Sequence, residues 1–293
     1  MGAIGFYLFY GINWVITLLP IRILYVFSDF LYIVLYYIIG YRRKVVKQNL
    51  QNSFPEKSVA ELKTIEKKFY RHLADIMIEI LKLTHMSREQ SLKHMKITNQ
   101  ELLDRLYSEG RDVIAVIGHY NNWEWLKSLI FHTKFQTVSI YKPLANKRFD
   151  KFLLDLRKRE GMILTPMSLI VREILEARKN NRRSIYSFIT DQTPPKVDIK
   201  YWTTFLNQDT PVYLGVEKIA SKYDMAVVFF NVTKIKRGYY SYCPELLFEH
   251  TAGLPEHEIT EKHVRRLEEI IQANPEYWIW SHRRWKHKKP VAQ

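Results

Sequence analysis

The first forty residues are the most apolar part of the chain. Residues 3–19 carry no charged side chain, and residues 23–39 carry one, Asp29. As a helix, each stretch would be about 25 Å long, which is the short limit for crossing a bilayer. Because a charge at bilayer depth is unfavourable, we do not expect the second stretch to be fully exposed to lipid. The pattern predicts a membrane anchor over residues 1–40, and a buried helical hairpin in a soluble protein is the alternative.

A cationic cluster follows this apolar segment directly. Positive charge that flanks an apolar segment marks its cytoplasmic side, and it also binds anionic lipid headgroups. We therefore expect residues 41–293 to form one cytoplasmic domain. Whether the anchor crosses once, crosses twice or lies partly in the interface stays open. The cluster consists of Arg42, Arg43, Lys44 and Lys47.

Beyond the cluster, the hydrophobic pattern alternates between two periods. Apolar residues recur at three- and four-residue steps over residues 59–83, which predicts a long helix. Short apolar runs then alternate with amphipathic segments, which predicts an α/β fold with a central, largely parallel sheet flanked by helices. The predicted strands are 112–117, 136–141, 162–165, 184–190, 225–232 and 239–248, and the predicted helices are 122–131, 147–160, 169–179, 212–223 and 260–273.

The composition narrows the choice of partners and cofactors. Lys and Arg outnumber Asp and Glu by 45 to 30, and the formal charge of +15 favours nucleic acid, anionic lipid or an acidic carrier protein. A nucleic-acid-binding protein is disfavoured because the sequence has no recognition motif and residues 3–39 would have no place in one. A single cysteine, Cys243, excludes disulfide scaffolds and cysteine-rich zinc sites.

The strongest candidate for chemistry is His119, which follows the predicted strand 112–117 after one residue, Gly118. In alternating α/β folds, functional groups gather at the carboxyl ends of strands. A histidine can act there as a general base, because its unperturbed pKa is about 6.5. The carboxylate of Glu124 could hold the imidazole in the right tautomer and stabilise the imidazolium ion.

The spacing between these two residues is a weak signal by itself. The same spacing joins His263 to Glu268 inside a predicted helix that is rich in charged residues. No strand precedes that second pair, so we expect it to lie on a solvated surface. The preceding strand favours His119, although a histidine that merely ends a strand is an equal alternative on these features alone.

The segment Gly-His-Tyr-Asn-Asn-Trp-Glu at residues 118–124 resembles the His-x4-Asp/Glu block of the lysophospholipid acyltransferase superfamily. The closer resemblance is to its bacterial lipid A biosynthesis (lauroyl/myristoyl) acyltransferase branch. The likeness covers nearly the whole chain, whereas the Phe-Pro-Glu-Gly block of glycerol-phosphate acyltransferases is absent. Further segments that agree in order are residues 146–161, Asp191-Gln192, 202–211 and 275–286.

The resemblance implies a catalytic pair and two neighbouring amides. His119 would be the general base, and Glu124 would be its orienting partner. Asn121 and Asn122 would donate hydrogen bonds near the site, with a turn or a helix N-cap as the equal alternative.

The resemblance also implies substrate-binding residues. Arg157 would bind a phosphate or the developing oxyanion, since a planar guanidinium suits both, or it would be a surface arginine. Asp191 would bind the acceptor, pair with Arg157 or start a turn. Arg283 and Arg284 would face lipid phosphate or pair internally.

The function that these expectations imply is acyl transfer by residues 41–293 from acyl-acyl carrier protein, or from acyl-coenzyme A, to a hydroxyl of a lipid A precursor. The expected place is the cytoplasmic side of the bacterial inner membrane, with a membrane lipid as acceptor and no nucleic acid, metal or bound cofactor. Alternative acceptors are a lysophospholipid, an aminolipid or a glycolipid. The alternative from another class is a non-catalytic, membrane-anchored basic binding protein.

Overall fold

The computed structural model describes residues 3–144, 146–158 and 161–290. The chain begins with helix α1, Ala3–Ile16, and helix α2, Ile21–Ile33, which continues as a π-helical turn over Val34–Ile38. Pro20 stands between the two helices, where its missing backbone N–H cannot continue α1. By length and composition, Ile21–Ile38 could cross a membrane, and one third of this segment is buried in the protein.

Helix α2 packs on the long helix α4, Val59–Lys82. A capping box between Ser58 and Glu61 stabilises the N-terminus of α4. The buried side chains of α2 recur every three or four residues, and one of them, Ser28, is polar. The hydroxyl of Ser28 donates to Asp75 at 2.7 Å. Asp29, the one charged residue of the second apolar stretch, forms an ion pair with Arg237 at 2.6 Å. One face of α2 therefore contacts the rest of the protein. The boundary at residue 40 between a membrane anchor and a catalytic domain stays a prediction.

A seven-stranded sheet forms the centre of the fold, with strand order β1-β9-β8-β2-β5-β3-β4. Five of its six strand pairings are parallel, and only β8 and β9 pair antiparallel. The predicted α/β class is confirmed. The nine strands of the described residues, two of them in a separate hairpin, are β1 Met95–Ile97, β2 Val113–Ile117, β3 Gln136–Tyr141, β4 Ile163–Pro166, β5 Ser184–Ile189, β6 Tyr201–Phe205, β7 Gln208–Val212, β8 Ala226–Lys236 and β9 Tyr239–Phe248.

The core lies in two layers, one on each face of the sheet. Strand β2 is buried at every position, because helices cover both of its faces. Ile114 and Val116 belong to one layer, whereas Val113, Ala115 and Ile117 belong to the other. The remaining helices are α3 Arg43–Ser53, α5 Arg88–His94, α6 Gln100–Ser108, α7 Lys147–Lys158, α8 Ile170–Lys179, α9 Gly215–Tyr223 and α10 Glu258–Ala273, with 3₁₀ segments at Leu83–His85, Trp123–Phe131, Met167–Leu169, Lys196–Asp198 and Pro275–Tyr277.

Two predictions about elements were wrong. The predicted helix 212–223 begins only at Gly215, because β7 ends at Val212 and pairs with β6 in an antiparallel hairpin. The predicted helix 122–131 is a 3₁₀ segment that begins at Trp123. The predicted end of helix 147–160 lies outside the described residues.

Candidate active site

The site lies at the carboxyl ends of β2 and β5. These strands are parallel neighbours, and Ile117 pairs with Ile189 at their last positions. His119 therefore lies two residues past one strand, and Asp191 lies two residues past the other. Because parallel strands end at the same edge of a sheet, the two side chains meet although they are 72 positions apart.

Asp191 holds His119 by two hydrogen bonds. Its Oδ1 lies 2.6 Å from Nδ1 of His119, and its Oδ2 accepts the backbone N–H of His119 at 2.7 Å. The indole N–H of Trp278 also donates to Oδ2, at 2.8 Å. A carboxylate with these contacts places the imidazole proton on Nδ1 and leaves the lone pair on Nε2.

The ionisation of Asp191 follows from the same contacts. Its side chain is completely buried, and burial by itself raises the pKa of a carboxyl. The charge and hydrogen bonds of His119 and the indole of Trp278 outweigh burial and hold the pKa of Asp191 below its ordinary value. The group is therefore a carboxylate at neutral pH.

Gly118 is required by the close approach of three elements. A Cβ atom at this position would lie 2.6 Å from Cδ1 of Leu267 in α10 and 3.4 Å from Oδ2 of Asp191. A side chain here would therefore require Leu267 to move. The glycine in front of the histidine is a packing requirement of the site.

The predicted contact between Glu124 and His119 was wrong. Glu124 lies in the 3₁₀ segment Trp123–Phe131 and forms a two-point ion pair with Arg157 of α7, in which Nε lies 3.0 Å from Oε2 and Nη2 bonds to Oε1. The segment directs the carboxylate toward α7, whereas the neighbouring strand already supplies Asp191 to the imidazole. The predicted pairing of Asp191 with Arg157 was wrong for the same reason.

Arg157 is a cation that is fixed at the cavity. Burial lowers the pKa of its guanidinium, but the carboxylate of Glu124 outweighs burial and raises this pKa above its ordinary value. The charge is therefore permanent, and the two-point pair fixes the plane of the guanidinium.

The two predicted amide donors have structural contacts instead. The amide of Asn121 donates to the carbonyl of Val232 at 2.6 Å, and its backbone has a φ of 51°. Asn122 caps the 3₁₀ segment by accepting the N–H of Trp125, and it donates to Glu79 at 2.6 Å. Both side chains are buried and neither lines the cavity, so their contacts are those of a turn and an N-cap.

Arg283 and Arg284 lie beside the site but outside the cavity lining. Arg283 is exposed, whereas Arg284 is buried and donates to the carbonyl of Pro211 at 2.8 Å. Burial lowers the pKa of Arg284 to about 10. Both backbone carbonyls accept a hydrogen bond from the hydroxyl of Thr193, so this segment supports the loop after Asp191.

The second histidine of the same spacing is not on the surface, and that prediction was wrong. His263 is 2% exposed, because it lies on the face of α10 that packs into the core. Burial lowers its pKa to about 4. Glu268 accepts the backbone N–H of Leu206 and pairs with Arg265, so each residue of this pair has a structural role.

A cavity of about 360 Å³ opens beside His119, within the range of small-molecule sites. Its polar end also includes Gln192, whose amide nitrogen lies 3.1 Å from Nε2 of His119. The sequence assigns Gln192 no role by itself, and its one signal is its position next to Asp191. Among the described residues, no group of three acidic, histidine or cysteine side chains could hold a metal ion. The apolar lining includes Ile117, Leu126, Ile140, Leu153, Leu154, Met162, Phe188 and Ile189.

Comparison with known proteins identifies the family of the chain. No curated protein matches the chain. A family model described as "Bacterial lipid A biosynthesis acyltransferase" matches residues 2–287, which is nearly the whole chain. The protein therefore belongs to the bacterial lipid A biosynthesis acyltransferase family.

Proposed function

We propose that this acyltransferase moves a fatty acyl chain from an acyl-acyl carrier protein to a hydroxyl of a lipid A precursor. One observation carries the chemistry: Nδ1 of His119 is bound to the Asp191 carboxylate, and the same imidazole lines the cavity. A histidine held in this way is a general base for a hydroxyl. Membership of the family supports acyl transfer as the reaction.

In the proposed reaction, Nε2 of His119 takes the proton of the acceptor hydroxyl as its oxygen attacks the thioester carbonyl. The tetrahedral intermediate then collapses, the carbon–sulfur bond breaks, and the thiolate takes the proton from the imidazolium. Asp191 stabilises the imidazolium between the two steps and is not itself protonated. Histidine and thioester suffice, so we propose no metal and no bound cofactor.

Arg157 is proposed to stabilise negative charge on the substrate. A guanidinium has five N–H donors, and Glu124 uses two of those of Arg157. Both residues line the cavity together with His119. Glu124 would therefore serve the reaction by fixing the arginine, and the arginine would bind the oxyanion or an acceptor phosphate.

The donor is proposed to be the carrier-protein thioester because the chain has a net charge of +15 and such carriers are acidic. Docking steered by charge slows as salt screens it. The rate with acyl-acyl carrier protein should therefore fall more steeply with ionic strength than the rate with acyl-coenzyme A. Equal activity with both donors and equal salt dependence would point to coenzyme A as a physiological donor.

The acceptor is proposed to be a lipid A precursor because of the family, and the alternatives are a lysophospholipid, an aminolipid or a glycolipid. Lipid mass spectrometry of cells with and without the gene separates them. Loss of the gene should remove the mass of one acyl chain from lipid A and leave glycerophospholipids unchanged. If lipid A is unchanged and a lipid of another class loses the mass of an acyl chain, that lipid is the acceptor.

The enzyme is proposed to lie on the cytoplasmic face of the inner membrane. The cations Arg42, Lys44 and Lys47 are exposed directly after the candidate span, and positive charge is retained on the cytoplasmic side. Protease should therefore cleave residues 41–293 in inverted vesicles and spare them in intact spheroplasts. Cleavage in spheroplasts alone would reverse the orientation.

The test of the chemistry is the activity of purified variants. His119→Ala should lose acyl transfer in a folded protein, whereas His250→Ala, at an exposed histidine, should keep it. A His119 variant that retains most of its activity would leave the membrane-anchored binding protein as the better description.

A further inference from the structure

Exposed apolar side chains concentrate at one place outside the N-terminal segment. Beyond residue 41, nine large hydrophobic side chains of the described chain are exposed, and five of them lie in two segments that follow β3 and β4. We call these five the mouth patch. It consists of Leu144, Met167, Leu169, Val171 and Leu175.

Sheet register brings the two segments together at the cavity. Tyr141 at the end of β3 pairs with Pro166 at the end of β4, so the chain leaves both strands at one edge of the sheet. Leu144 and Met167 follow these positions, and both line the cavity although they are 46% and 48% exposed. The patch therefore begins at the rim of the active-site cavity.

Helix α8 extends the patch away from the rim. Its inner face buries Ile170, Ile174 and Ala177 against the core. A helix that covers a sheet ordinarily has a polar outer face. Here Val171 and Leu175, four residues apart and therefore neighbours on the helix surface, are both exposed. The outer face of α8 thus departs from the pattern of a helix that faces only water.

The anchor and the cavity share a wall. Phe149 of α7 contacts Phe6 and Phe9 of α1, with ring centroids 5.2 Å apart in both pairs. The adjacent face of α7 lines the cavity with Leu153 and Leu154. A helix with its side chains is about 10 Å across, so this wall of the cavity lies within about one helix diameter of α1.

Cations lie beside the patch in the sequence. Lys142, Lys147 and Arg148 are exposed in the segments before and after Leu144. Basic residues beside exposed apolar ones are typical of protein surfaces that bind at a membrane interface, where the cations meet anionic headgroups. This charge and the shared wall with α1 favour a lipid surface over another protein as the occupant.

We propose that the mouth patch inserts into the bilayer surface and that the acceptor lipid passes from the bilayer into the cavity through it. Contact with the membrane does not depend on the reaction, whereas the route of the acceptor rests on the proposed function. The bilayer covers the five side chains, and the acceptor need not leave it to reach His119. The anchor and the mouth patch thus hold the enzyme at two places.

The contact is tested on the full chain in vesicles that contain phosphatidylglycerol and lipids spin-labelled near the headgroup. An environment-sensitive fluorophore is attached at Leu175→Cys, in a chain that also carries Cys243→Ser. Matched positions are Val59→Cys, which is 72% exposed in the parent chain and lies outside the patch, and Leu18→Cys, next to α1. Quenching at position 175 should exceed that at position 59 several-fold and approach that at position 18.

Equal quenching at positions 175 and 59 would overturn the proposal. If the lipids do not quench, two other results would identify a different occupant. A cross-link between two copies at position 175 would identify a second copy of the chain. An emission change on adding acyl carrier protein in detergent would identify the carrier.

The route of the acceptor has its own test. Val171→Glu combined with Leu175→Glu should raise the KM for acceptor in vesicles at least tenfold and leave hydrolysis of a soluble thioester unchanged, while Val59→Glu should change neither. Unchanged kinetics in the double variant would disprove the route. A chain that is quenched at position 175 but acylates no lipid A precursor would refute the proposed function and leave the membrane contact standing.

Discussion

Glu79 should make the protein less stable as the pH rises through neutrality. The carboxyl is completely buried in α4 and accepts from the hydroxyls of Tyr25 at 2.7 Å and Tyr240 at 2.9 Å and from the amide of Asn122 at 2.6 Å. Burial raises its pKa from the ordinary 4.5 to about 7, the three hydrogen bonds lower it, and the nearby Asp75 adds to the rise.

The sign and the size follow from linkage. Because the folded state binds this proton more tightly than the unfolded chain, its contribution is full below pH 4.5 and is lost as the pH rises through about 7. The difference of about 2.5 pKa units corresponds to about 3 kcal/mol of unfolding free energy, at about 1.4 kcal/mol per unit. Glu79→Gln is neutral at every pH and should remove this part of the pH dependence.

The assay is urea unfolding of the full chain in detergent between pH 5 and pH 9. The unmodified protein should lose stability relative to Glu79→Gln as the pH rises, whereas Glu101→Gln, at an exposed position of α6, should run parallel to it. A constant difference between Glu79→Gln and the unmodified protein over this range would show that Glu79 does not titrate near neutrality. Glu79 also joins α2 to the site. It accepts from Tyr25 of α2 and from Asn122, which caps the segment that carries Glu124.

Two further predictions concern the packing of the site and its arginine. Gly118→Ala should lower the free energy of unfolding by about 1–3 kcal/mol, because its Cβ would lie 2.6 Å from Leu267, and the same change should cost less in a Leu267→Ala background in thermal melts. An equal cost in both backgrounds would place the strain elsewhere. Arg157→Lys should lower kcat at least about tenfold, since an ammonium cannot form the two-point pair with Glu124, while Lys158→Arg should be neutral. Equal kcat in both variants would exclude a role for the arginine geometry.

The strands were predictable where local pattern decides them, and the hairpin was not. A continuous apolar run marked β2, and short runs of mixed apolar and polar residues marked β3 and β9, nearly to the residue. The β6–β7 turn has Leu206 and Asn207 at positive φ, without the Asn-Gly or Asp-Gly pair that ordinarily announces such a turn. This turn therefore lacks a hairpin signal, and the residues from 212 onward predict the start of a helix.

The histidine was predictable and its partner was not. His119 stands out because a buried strand and a glycine precede it, which is information within a few residues. Asp191 becomes its partner only because β2 and β5 are neighbours in the sheet, and strand order cannot be read from one sequence. The local spacing therefore favoured Glu124 instead. His263 was assigned to the surface from its charged neighbours, although Ile259, Thr260, Val264 and Leu267 define a buried face that includes it.

The most direct test of the central claim, that His119 and Asp191 act as one unit, is the kcat for acyl transfer in a double-mutant cycle. Asp191→Asn should lower kcat by about 10³–10⁴, as loss of the orienting carboxylate does in a hydrolase triad, and adding it to His119→Ala should cost little more. Glu124→Gln, which acts through Arg157, should by contrast lower the residual activity of His119→Ala further. Retention of most of the kcat by Asp191→Asn would contradict the shared role of His119 and Asp191. So would a cycle in which Glu124→Gln, and not Asp191→Asn, has no further effect on the His119→Ala protein.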